Sequence, residues 1–145
     1  MTTTLTVLDS APCACSTCVQ MCSVAPGWPT PAEAQTLIDN GHGASLMLDW
    51  WEVLEGPNIH VLCPATVGRE GGRSIEVSWF DTSKGTCTFL KNERCAIHGQ
   101  PGRPAECRAA RHDARTGHLH AEIAEAWNTD EGKALVSAWA KRFMP

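Results

Sequence analysis

The chain contains no tyrosine and only three phenylalanines in 145 residues. Its stock of large aliphatic side chains is small as well: Leu, Ile, Val and Phe together fill 26 of the 145 positions. Such a low share combined with high net charge would point to disorder. Here the formal net charge is only −4, and six Trp with eight Cys argue for an ordered chain. No stretch approaches the roughly 18 consecutive apolar residues of a membrane-spanning helix, so no membrane partner is expected. Residues 1–12 carry neither Lys nor Arg and no apolar h-region, which is not the pattern of a secretory leader. Gly68, Gly71 and Gly72 lie in a polar stretch without the Lys and the strand–helix context of a phosphate-binding loop. Repeats and low-complexity segments are lacking too, and no Ser-His-Asp triad can be argued from spacing.

The length suits one domain, since single domains commonly span about 100–200 residues. Residues 1–12 read as a flexible lead-in, and residues 13–145 as a single cysteine-cluster, metal-binding domain. The shortage of aliphatic volume implies that a metal or cross-links supplement the core. A structural zinc site supplies about 10–16 kcal/mol of apparent binding energy to folding, comparable to the net stability of a whole domain. Eight Cys in an oxidising compartment would read as disulfides. A reducing cytoplasm is the expectation here, and there clustered Cys more often bind metal.

The thiols fall into two groups. Cys13, Cys15, Cys18 and Cys22 crowd into ten positions. Two thiolates in a Cys-x-x-Cys spacing can grip one tetrahedral ion, so Cys15 and Cys18, with Cys22 beyond them, are candidate ligands. The second group is Cys87, Cys95, His98 and Cys107, a donor set sufficient for zinc by itself. Together the two groups could complete one shared site or frame a polynuclear centre. Zinc is the first expectation and iron or an iron–sulfur cluster the second, because thiolate and imidazole suit both. Cys13, Cys63 and His112 are left open as ligands.

Several residues between the thiols follow an order of their own: Cys87-x-Phe89-Leu90, Cys95-x-Ile97-His98, and Arg103-Pro104-x-x-Cys107-Arg108. With the N-terminal cluster, this order resembles a cysteine-cluster family described as zinc- or iron-chelating domains. The resemblance covers roughly residues 13–112. It departs from the family pattern at two places. Cys18 and Cys22 are separated where adjacent cysteines are usual, and His98 stands where Tyr is usual. The resemblance implies metal chelation and does not imply a reaction.

The fold expected is a small, irregular, metal-stapled α+β domain with several short helices and a few short strands. Thr30-Pro31-Ala-Glu33 reads as a helix start, with Thr as cap, Pro at the first position and Glu to close a capping box. That helix should stop at Asn40-Gly41. A helix is expected over 44–54, with Leu46, Trp50, Val53 and Leu54 on its buried stripe. Strands are expected over 59–63 and 74–80 from their apolar alternation. Helices are expected over 104–112, 119–127 and 130–143, the last capped by Thr129. Trp50 and Trp51 read as core residues, and His118 and His120 as solvated surface.

Residues 91–115 carry Lys91, Arg94, Arg103, Arg108, Arg111 and Arg115 against Glu93, Glu106 and Asp113, which leaves the rest of the chain at −7. These arginines are expected to offset thiolate charge and to donate hydrogen bonds to sulfur. Binding of nucleic acid through Arg103, Arg108, Arg111 and Arg115 is the weaker alternative, and an iron-dependent redox role is another.

Overall fold

A computed structural model describes residues 26–76, 84–92, 94–97, 99–109 and 117–145. Helix α1 spans Pro31–Leu37 and begins as its sequence dictates. The Thr30 hydroxyl accepts from the Glu33 amide, and the Glu33 carboxylate accepts from the Thr30 amide at 2.8 Å. The helix does not end at Leu37. It widens into a π-turn over Ile38–His42, with Gly41 at φ 89, a conformation that glycine adopts without penalty. A short 3-10 turn, Gly43–Ser45, then feeds strand β1, Leu46–Trp51.

Strand β1 replaces the helix expected over 44–54. It pairs antiparallel with β2, Ile59–Pro64, in a register that sets Met47 opposite Cys63 and Asp49 opposite Val61. Leu46, Met47, Leu48 and Asp49 are buried one after another, so both faces of the strand are covered. A short apolar run buried on both faces has no alternation to distinguish it from a helix. Leu54, expected on the helical stripe, is wholly exposed in the turn that joins the strands.

Irregular segments widen this pair without forming long strands. Gly71 donates to the Leu46 carbonyl, Leu48 to Gly72, and Ser74 to Leu48, flanking β1. On the other side, Val67 donates to Thr86 and Thr88 to Ala65, bringing Cys87 alongside Thr66. A second sheet pairs β3, Leu90–Lys91, with β4, Arg94–Cys95. Of the strand expected over 74–80, Ser74 lies in this flanking segment and residues 77–80 lie outside the described residues.

Among the described residues three further helices follow: α2 over Ala105–Ala109, α3 over Gly117–Trp127 and α4 over Asp130–Phe143. Thr129 caps α4 by accepting from Gly132, as expected. Leu119, Ile123, Ala124 and Trp127 form the buried stripe of α3. The architecture is thus a small α+β fold with short helices and two two-stranded antiparallel sheets. No helix among the described residues is long and apolar enough to cross a membrane.

Tryptophan supplies much of the core volume that aliphatic residues do not. Trp28, Trp127 and Trp139 are fully buried, and each indole N–H has an acceptor. Trp28 donates to Asp49 Oδ2 at 2.9 Å, Trp127 to the Pro29 carbonyl at 2.8 Å, and Trp139 to the Gly43 carbonyl at 2.8 Å. A buried indole brings a large apolar area but needs its N–H satisfied. These three bonds tie α3, α4 and β1 to the segment that surrounds α1.

Candidate metal centre

Of the seven expected ligands, Cys15, Cys18, Cys22 and His98 lie outside the described residues, as do Cys13 and His112. Cys87, Cys95 and Cys107 are described. Cys87 is buried beside Thr66. Cys95 is half-buried on β4 opposite Leu90. Cys107 is half-buried on α2.

Helix α2 holds Cys107 against Gly27. A Cβ built on Gly27 would lie 2.5 Å from Cys107 Sγ and 3.1 Å from its backbone nitrogen. Glycine permits this close approach. The neighbouring residue locks the contact: the Trp28 amide donates to Glu106 Oε1 at 2.6 Å, and the Glu106 amide donates to the Trp28 carbonyl at 3.4 Å. Arg103 closes the other side, with Nη2 donating to the Cys107 carbonyl at 3.0 Å. Its Nε is buried and has no hydrogen-bond partner among the described residues.

Cys63 is fully buried on β2. Burial pushes its thiol pKa well above the ordinary range, because a thiolate there would lose its hydration. Asp49 adds to that rise, Lys84 opposes it, and Cys87 and Glu106 contribute smaller increases. Cys87 and Glu106 are therefore each near enough to Cys63 to act on it electrostatically, although they come from distant parts of the sequence.

Around these thiols lies a polar and aromatic cluster. Asp49, buried on β1, accepts from Trp28 and is ion-paired with Lys84. The Lys84 ammonium also sits 5.4 Å from the Trp28 ring centroid. His120, on α3, stacks on Trp28 with centroids 3.7 Å apart and planes at 26°. Trp51 approaches the same imidazole at 5.4 Å. His120 Nδ1 lies 2.6 Å from Glu106 Oε2. His120 is thus half-buried against Trp28 and Glu106, with about a third of its side chain exposed. The signal for it is its place on the inward stripe of α3, three, four and seven residues before Ile123, Ala124 and Trp127.

Among the described residues, no three Cys, His, Asp or Glu side chains gather closely enough to hold one ion. Of the arginines considered for nucleic acid, Arg103 is engaged within the chain, and Arg111 and Arg115 lie outside the described residues. Comparison with protein-family models, with curated proteins and with solved structures finds no match to this chain.

Proposed function

We propose that the protein binds a metal ion through cysteine thiolates, with zinc as first choice and iron or an iron–sulfur cluster as the alternative. The ligands would be drawn from Cys15, Cys18, Cys22, Cys87, Cys95, His98 and Cys107. The observation that carries this reading is the packing of Cys107 Sγ against Gly27. Gly27 is five residues from Cys22, so covalent reach alone keeps their Cα atoms within roughly 18 Å. That reach supports drawing ligands from both thiol groups.

The donor chemistry supports the same reading. Among the described residues Arg103 Nε is a buried donor without an acceptor, an arrangement that normally costs about 1–3 kcal/mol. A metal-bound thiolate is a natural acceptor for it, since such sulfurs draw hydrogen bonds from surrounding donors. Asp49 and Lys84 neutralise each other nearby, so they leave the thiolate charge to the metal and the arginine. The reading assigns no reaction and no substrate.

Anaerobic purification of the full chain, followed by elemental analysis and an absorption spectrum, tests it. Colourless protein carrying about one or two zinc ions per chain is the expected result. Brown protein that bleaches in air would move the assignment to an iron–sulfur cluster. Protein that is free of metal, and that takes up neither zinc nor iron when these are added, would overturn the proposal.

A further inference from the structure

We propose that the loop over residues 68–73 and the C-terminal turn of α4 together bind the phosphate backbone of a nucleic acid, without reading its sequence. A bound metal is not needed for this, and the arginines of residues 91–115 take no part.

The loop is pinned to the fold. Gly71 donates to the Leu46 carbonyl, Leu48 donates to Gly72, and Gly72 donates to the Arg69 carbonyl. Arg69 and Arg73 therefore project from fixed points, and Arg69 Nη1 donates to the Arg73 carbonyl at 3.1 Å. The end of α4 comes to the same place. A Cβ built on Gly71 would lie 3.3 Å from the Phe143 carbonyl oxygen. The Arg142 guanidinium lies 4.8 Å from the centre of the Phe143 ring, and Lys141 adjoins it in the last turn.

Arg69, Arg73, Lys141 and Arg142 are all exposed, and none forms an ion pair among the described residues. Glu70, the one acid in the loop, is turned elsewhere. Its carboxylate accepts from the Gly68 amide at 2.9 Å and from the Thr88 hydroxyl at 3.0 Å. Cations in a last helical turn suit the helix dipole, which accounts for Lys141 and Arg142. It does not account for Arg69 and Arg73, which a separate loop delivers to the same spot. Four such cations gathered in a chain of net charge −4 form the local positive field that a polyanion seeks.

Three of the four are arginines, and neighbours hold two of them in place. A held guanidinium matches phosphate oxygens with paired hydrogen bonds, which a lysine cannot do. An anionic membrane fits less well, because binding there draws on inserted apolar side chains. Among the described residues, Val67 is the sole large, fully exposed apolar side chain that borders the loop. The Phe143 ring packs against Gly43 and is half-buried, so it offers bases no stacking platform. Contact is left to the backbone phosphates.

The test uses the full chain and a fluorescent DNA duplex of about 20 base pairs, followed by anisotropy at several salt concentrations. With four phosphates neutralised, affinity should fall roughly 100-fold between about 50 and 200 mM salt. Arg69→Gln with Arg142→Gln should weaken binding to every duplex sequence alike and lower the salt slope by about 2. Lys133→Gln, exposed near the other end of α4, should change neither. All these positions lie on the surface, so urea unfolding should match that of the wild-type chain. Wild-type protein that fails to bind the duplex at low salt would overturn the inference. So would binding that survives the paired substitution, or that is lost instead when Arg108, Arg111 and Arg115 are replaced by Gln. Phosphatidylserine vesicles or a polyglutamate peptide bound more tightly than the duplex would assign the patch to another partner and overturn it too.

Discussion

Asp49 and Trp28 are joined across the core by a 2.9 Å hydrogen bond from the indole N–H to the carboxylate, at a place where both residues are almost wholly buried. The same carboxylate holds Lys84. One acidic side chain therefore satisfies a buried indole and a largely buried ammonium. Asp49→Ala should cost about 3–5 kcal/mol, because it strands the Lys84 charge in a poorly hydrated place. Asp49→Asn keeps an acceptor for Trp28 and should cost less. Urea unfolding followed by tryptophan fluorescence measures both.

Gly27 gives a sharper probe of the thiol region. The Cβ of Gly27→Ala would meet Cys107 Sγ at 2.5 Å and Glu106 Cβ at 3.2 Å. Overpacking of this kind costs about 1–3 kcal/mol, and metal content should fall with it. Gly56→Ala serves as the control. Its Cβ meets nothing within 4 Å, but φ is +104, so it should destabilise through backbone strain and leave metal content unchanged.

Cys63 sets a pH dependence. Its pKa is raised in the folded state by burial, so the folded protein keeps a proton that the unfolded chain releases above about pH 8.5. The contribution is fully present below that pH. Above it, stability should fall by about 1.4 kcal/mol per pH unit until the folded thiol itself ionises. Cys63→Ala should make that decline shallower by one proton. Unfolding curves between about pH 8 and 10 decide it, and an unchanged slope would mean that Cys63 does not hold its proton.

The sequence was most legible where structure is local. Helix α4 and its Thr129 cap, and the Thr30–Glu33 capping box, follow from side chains within four residues of the backbone groups they satisfy. Strand β1 was not legible, because its identity is set by what covers each face. Leu48 and Asp49 are buried by segments that lie far along the chain. The packing of His120 is not legible for the same reason. Its neighbours in sequence show only the α3 stripe, while Trp28 and Glu106 define its environment. Within the candidate site, the chemistry of the thiols was readable, but the Gly27–Cys107 contact depends on a fold that brings opposite parts of the chain together.

The Glu33 carboxylate has a further consequence. Oε1 accepts the Thr30 amide at the start of α1 and also the Ala105 amide at the start of α2, at 2.9 Å. A single oxygen thus terminates two helices, one of which carries Cys107. Release of either amide disturbs the acceptor of the other, so hydrogen exchange at Thr30 and Ala105 should report one shared opening event. Glu33→Ala would loosen the mount of Cys107 by releasing the Ala105 amide two residues before it.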